Sequence, residues 1–237
     1  MRLNRYMARA GVATRRHSES MILAGRVKLN GEKVVSLATR VQPDSDVVTV
    51  DDRPLKASET RRCYLLNKPA GYLTTLRDPF NRPTVASLIR DIPERVFPVG
   101  RLDRDTEGLL LLTNDGSLGY RLMHPRFGFE KEYHVLVKGV PGEGTLRRLR
   151  EGIEIDGRTT ASAGVAELRR TKHCTWLSIV LHEGRKRQVR RMCDRVGHPV
   201  KRLIRVRLGG LADRDLPAGK WRVLTPGEIE DLEPVAV

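Results

Sequence analysis

The residues best placed to do chemistry lie in 100–116, GRLDRDTEGLLLLTNDG, where Asp103 stands between Arg101 and Arg104. The stretch opens as a turn and then enters a leucine run so short that it reads as a buried strand. Asn114, Asp115 and Gly116 tolerate positive φ, so the chain is expected to reverse after the leucines. A carboxylate just ahead of a rigid buried element is held as a catalytic group needs to be. Spacing alone, however, favours a solvated charge cluster of Arg101, Asp103, Arg104 and Asp105.

A second concentration of functional groups is 182–192, HEGRKRQVRRM. Val189, Met192, Cys193 and Val196 recur at i, i+3, i+4, i+7 and form one apolar helix stripe. Arg190 is about 100° round from Val189 and borders that stripe; Arg191 falls roughly opposite and is expected to face solvent or RNA. An arginine at a core edge can reach a partly buried carboxylate. Arg185, Lys186 and Arg187 add to the same basic region. Tyr133 alternates with Val135 and Val137, which by periodicity makes it a core residue. Lys68, in the turn NKPAG, could touch phosphate, although Pro and Gly there mark a turn first. His124, beside Pro125 at a helix end, reads as structural. Residues 203–208 alternate as a strand with Arg205 and Arg207 on one side.

The elements that position these groups follow from composition and periodicity. The chain has 237 residues and 39% apolar content, enough for a core and for one large domain or a small plus a larger one. Nothing approaches a membrane-spanning run, and Arg2 and Arg5 are not followed by the apolar region of a signal peptide. Cys63, Cys174 and Cys193 are scattered, which fits a reducing cytoplasm. No zinc pair, P-loop or dinucleotide fingerprint occurs, so neither a metal nor a cofactor is implied. Lys plus Arg number 44 against 29 acidic residues, a net charge of +15, which favours a polyanionic partner. Aromatic content of 5% argues against broad base-stacking platforms.

At the N-terminus, Leu3, Tyr6, Met7 and Ala10 mark one face of a short helix, with Arg5 and Arg9 on another. Thr14 can cap a second helix running to about Ala24, with Arg15 and Arg16 in its first turn against the macrodipole. A hairpin about Asn30-Gly31 follows. Residues 1–50 form a first domain, the polar stretch 51–62 a linker and 63–237 a second domain. Further helices are expected over 117–123 and 145–151. Thr225, Pro226 and Glu228 open a last helix with a capping box.

Three separated motifs resemble, in order, the bacterial ribosomal pseudouridine synthases of the RsuA and RluB type. They are GRLD with T-x-G-LLLLTNDG, the K-x-Y around Tyr133, and E-G-x-x-x-Q-V-R-R-M at 183–192. NKPAG and the loop 77–84 match as well, the loop most closely the large-subunit branch. The two basic helices and AGRVKLNG resemble the S4 RNA-binding domain at that family's N-terminus. The resemblance implies an α+β fold, in which an S4 module precedes a mixed, largely antiparallel sheet flanked by helices. It implies Asp103 as nucleophile, Tyr133 stacked on the target base and Arg190 paired with Asp103, lowering its pKa. RNA contact would fall to Arg101, Lys68, Arg5, Arg9, Arg15, Arg16, Arg185, Lys186, Arg187 and Arg191. The expected partner is ribosomal RNA, of the large subunit by the closer branch, or an assembly intermediate, acted on by a cytoplasmic monomer. A non-catalytic S4-type RNA-binding or assembly protein is the rival reading, and a DNA-binding protein a weaker one.

Overall fold

The computed structural model describes residues 1–55 and 60–232, which fall into two compact units. One comprises Met1–Arg62 with Asn114–Gly116, the other Cys63–Thr113 with Ser117–Val237. Among the described residues no helix is long and apolar enough to cross a membrane.

In the smaller unit, α1 (Leu3–Arg9) and α2 (Arg15–Leu23) are followed by β1 (Val27–Leu29), β2 (Glu32–Val34), β3 (Val48–Val50) and β4 (Arg53–Pro54). Leu3, Tyr6 and Met7 are buried against Met21, Ile22, Val27 and Val48, so the predicted helix face is the core face. The Thr14 hydroxyl accepts from His17 N and caps α2. Asn30 and Gly31 both take positive φ, which a type I′ hairpin turn requires. Arg5, Arg9, Arg15 and Arg16 are all exposed. Residues 51–54, expected to begin a linker, instead form a second hairpin: Asp51 and Asp52 take positive φ and β4 pairs with β3. Residues 56–59 of that linker, and 233–237 at the end of the second domain, lie outside the described residues.

The larger unit begins with β5 (Cys63–Lys68), β6 (Phe97–Val99), β7 (Glu107–Thr113), α3 (Gly116–Met123) and β8 (Lys131–Lys138). It continues with α4 (Glu143–Glu151), β9 (Glu154–Ile155), β10 (Arg158–Thr159), β11 (Gly164–Arg170), β12 (Cys174–Leu181) and α5 (Gln188–Arg195). The last elements are β13 (Val200–Leu208), β14 (Leu211–Ala212), β15 (Trp221–Val223) and α6 (Pro226–Asp231). The main sheet runs β11-β12-β8-β13-β7-β5-β15, with β14 beside β13 and β6 beside β7. Every pairing in it is antiparallel except β13 with β7, so the fold is α+β.

The leucine run is apolar throughout because both faces of β7 are covered. Leu109 and Leu111 enter one core with Cys63 and Leu65; Leu110 and Leu112 enter another with Tyr64 and Leu66. Each fully buried leucine stabilises the sheet by about 1.5–3 kcal/mol. The residues after it do not reverse through positive φ as expected. The Asn114 side chain accepts from Arg62 N and donates to Thr60 O, so its amide anchors neighbouring backbone. The stripe of α5 packs as predicted, with Val189, Met192 and Cys193 against Val135, Val137 and Leu203. The Thr225–Glu228 capping box with Pro226 is formed.

Strands β7 and β13 share only two residue pairs, Glu107 with Ile204 and Gly108 with Arg205. Gly108 takes φ +104° there, and a Cβ on it would lie 2.2 Å from the Arg205 carbonyl oxygen. Gly108→Ala therefore meets both a strained backbone and a backbone clash. Chemical denaturation should show a loss of about 3 kcal/mol or more; a variant as stable as the wild type would contradict this account of the strand junction.

Candidate active site

Where β7 and β13 part, the larger unit holds a cleft of about 1040 Å³. Asp103, Tyr133 and Arg205 line it, together with the exposed Arg101, Lys186 and Arg187 at its rim. Asp103 is the residue four before β7, and its side chain is 37% exposed, so the carboxylate is reachable.

The loop that carries Asp103 is fixed from beneath. Thr106 N donates to Asp103 O at 3.1 Å, closing a turn over 103–106. Lys68, at the end of β5, is 0% exposed, and its ammonium donates to Thr106 O at 2.7 Å, Pro69 O at 3.0 Å and Arg104 O at 3.4 Å. Gly71 N also donates to Arg104 O, at 2.7 Å. On the other flank, the buried Thr74 hydroxyl donates to Leu102 O at 2.7 Å and accepts from Leu102 N at 3.2 Å. The expected phosphate contact for Lys68 is thus corrected, because its charge is consumed by carbonyls inside the protein. Burial pushes the Lys68 ammonium down to about 8, against the opposing pull of Asp105, Asp103 and Glu107.

The expected Asp103–Arg190 pair is not formed. Nη2 of Arg190 donates to Asp105 Oδ2 at 3.1 Å and to Asp105 O at 2.9 Å, and Arg190 lies outside the cleft lining. The turn sends Asp105, two residues on, toward α5 while Asp103 stays on the cleft side. Burial would raise the Asp105 carboxyl, but the guanidiniums of Arg190 and Arg187 outweigh it and hold the group below the ordinary carboxylate value. The cation beside Asp103 is Arg187, 3.7 Å from Oδ2 and 3.3 Å from Asp105 Oδ1. Arg187 caps α5 at φ +53°, a left-handed conformation uncommon for a residue with a side chain.

The EGRKRQ segment ahead of α5 is a braced loop. Gln188 donates from Nε2 to Glu183 Oε1 at 2.6 Å and accepts from Arg185 N at 2.9 Å. Arg185, which also lines the cleft, donates to the carbonyls of Arg158 and Thr159 at 3.0 and 2.8 Å and to Glu183 at 3.3 Å. Arg191 does lie on the outer side of α5, but Asp156 holds it in a two-bond pair. Lys186 and Arg101 are exposed at the cleft rim as expected. His124 accepts from Arg126 N, capping the short helix at 125–127, and also lines the cleft.

Tyr133 is half-buried, packed against both core clusters that meet at β8, and faces the cleft. Its neighbour across the sheet is Arg205. The strand carrying Arg205 has an irregularity between Arg205 and Arg207, whose partners are Tyr133 and Glu132 in turn. Since Tyr133 and Glu132 point to opposite faces, so do the two arginines. The expectation that they share a side fails for that reason. Arg207 pairs with Glu130 and Glu132, while Arg205 is buried.

Between about pH 8 and the ordinary lysine value of 10.5, the unfolded chain holds the Lys68 proton and the folded chain does not. Stability should therefore rise with pH across that window. Lys131 is likewise pushed down to about 8 and adds to the rise, whereas burial pushes the Cys193 thiol up to about 12 and opposes it above pH 9. Lys68→Met should therefore remove roughly two-thirds of the net rise seen by denaturant titration at several pH values. An unchanged slope would show that Lys68 is not buried as a cation.

The sequence family described as RNA pseudouridylate synthase matches residues 62–195, and the S4 domain family matches residues 1–48. A protein of Aquifex aeolicus named an uncharacterized RNA pseudouridine synthase is 48% identical over 233 residues, covering 98% of this chain and 93% of the relative. The ribosomal large subunit pseudouridine synthase B of Bacillus subtilis is 41% identical over 237 residues, covering 99% and 96%. A crystal structure of a pseudouridylate synthase superposes with TM-score 0.71 at 32% identity, covering 98% of this chain and 99% of the other. With both families matched in this order and relatives similar over nearly the whole chain, the chain belongs to the RNA pseudouridylate synthase family, in its S4-bearing RsuA and RluB branch.

Proposed function

We propose that this enzyme converts a uridine of ribosomal RNA to pseudouridine, breaking N1–C1′, turning the uracil and rejoining it through C5. The observation that carries the reading is a reachable Asp103 carboxylate in one cleft with Tyr133, on a loop held by Lys68 and Thr74. A base inside a stack is out of reach, so the target nucleotide is flipped into the cleft. Asp103 acts as nucleophile. One carboxylate suffices for this, whereas hydrolysis of the same bond would call for a second as general acid. Tyr133 stacks on the uracil. Arg190 serves as a positioning residue, holding Asp105 and with it the turn, while Arg187 supplies the positive charge at Asp103. The bound RNA and the cleft walls must together keep water from the freed base.

The division of labour we infer is RNA capture by the S4-like residues 1–50 through Arg5, Arg9, Arg15 and Arg16, and chemistry in 63–237. Arg101 and Lys186 at the cleft rim meet phosphate. The net charge of +15 favours a polyanionic RNA substrate, and the relative named for the large subunit points to large-subunit rRNA or an assembly intermediate, met by a monomer in the cytoplasm.

Tritium release from C5-labelled uridine in rRNA transcripts tests this. Asp103→Asn should bind RNA with an unchanged salt slope and release no tritium. Normal turnover by that variant would remove Asp103 from its role. Wild-type binding with no release from authentic substrates would leave a binding module only.

A further inference from the structure

The floor of the cleft carries two cations that the chemistry so far leaves without a task. Arg205 is 3% exposed; its Nε donates to Leu109 O at 2.7 Å, but its Nη2 has no hydrogen-bond partner among the described residues. Lys131, whose Nζ donates to Phe129 O at 2.7 Å, lines the same cleft. Neighbouring Arg202 and Arg207 are occupied by Glu107, Glu130 and Glu132. Arg205 and Lys131 pair with no carboxylate among the described residues. Burial, and after it the charge of Arg205, lowers the Lys131 ammonium to about 8, so the two cations sense each other. A buried guanidinium with an open N–H and no counter-charge is costly unless something negative enters.

The strand geometry says where that negative charge would lie. Arg205 is directly opposite Tyr133, and Lys131 is two residues before Tyr133 on the same face. All three line the cleft that holds Asp103. We propose that Arg205, assisted by Lys131, binds the negatively charged oxygen of the uracil while the base is detached from the ribose. The inference rests on the pseudouridine-forming reading of this site. When N1–C1′ breaks, its bonding pair stays on N1 and spreads to O2 and O4; in attack at C1′ the sugar carbon is bonded to an Asp103 oxygen. On return, C5 attacks C1′, the carboxylate leaves, C5 loses its proton and N1 gains one. Stabilising the intervening anion is the task of a preorganised buried donor. A backbone phosphate is the poorer match, because exposed Arg101 and Lys186 stand at the rim while Arg205 lies beside Tyr133 with almost no exposed surface.

Single-turnover tritium release from a saturating rRNA transcript, with RNA affinity measured in parallel, tests the proposal on Arg205→Gln, Arg205→Lys and Lys131→Met. Arg205→Gln should slow release by about 100-fold or more with affinity within about twofold. Arg205→Lys should recover part of the rate, and Lys131→Met should lose about tenfold. The same reaction on RNA with 5-fluorouridine at the target, followed as loss of that nucleoside from digests, separates charge stabilisation from structure. Fluorine eases departure of N1, so the Arg205→Gln defect should shrink by about tenfold or more. An equal defect on both substrates, an unchanged rate, or weakened RNA binding at normal rate would overturn the proposal. If Arg205→Gln does not fold, Arg205→Lys and Lys131→Met give the same substrate comparison. Full activity in Asp103→Asn would instead sink the underlying nucleophile reading, whatever Arg205 does.

Discussion

A buried ammonium is the constraint on which the site depends. Lys68 gives its three protons to the carbonyls of Pro69, Arg104 and Thr106, so the turn after Asp103 is tied to the end of β5. Burying that charge is unfavourable, and the accepting carbonyls plus the nearby Asp105, Asp103 and Glu107 carboxylates offset the cost. The arrangement fixes backbone and leaves the Asp103 side chain open to the cleft. A nucleophile needs that combination of fixed position and free lone pairs.

Two carboxylates and two arginines divide the remaining work. Asp105 takes Arg190 from the rear and is held ionised, which clamps the loop to α5. Arg187, one helical turn before Arg190, comes forward to both Asp103 and Asp105. The positive φ of Arg187 fits this reach, since the strain is tolerated where neighbouring structure fixes the backbone. The Glu183–Gln188 bond closes the loop that presents Arg187. The signature EGRKRQVRRM therefore combines a loop brace, a forward cation and a rear clamp.

Local patterns were legible in the sequence; contacts between distant segments were not. Alternation into two cores explains why the leucines of β7 announced a strand, and i, i+3, i+4, i+7 spacing announced α5. The Asn30-Gly31 hairpin and the Thr225–Glu228 capping box follow from side-chain chemistry within a few residues. The burial of Lys68 is invisible to local pattern, because its partners lie 36 and 38 residues away and lysines are rarely buried. Arg190 pairs with Asp105 rather than Asp103 because the turn at 103–106 decides which carboxylate faces α5. The spacings themselves, three between Arg187 and Arg190 and two between Asp103 and Asp105, did allow a four-residue cluster. Arg205 was masked by an irregularity in β13 that periodicity cannot see.

The central claim, that the loop offers the Asp103 carboxylate to an extruded nucleotide, is most directly tested by a crystal structure with bound RNA. The target position should carry 5-fluorouridine, whose C5 has no proton to lose. The account predicts the flipped nucleotide in the cleft, an Asp103 oxygen in contact with C1′ or C6, and Lys68 still bonded to Arg104 and Thr106. A nucleotide seated elsewhere, with Asp103 out of contact, would contradict it.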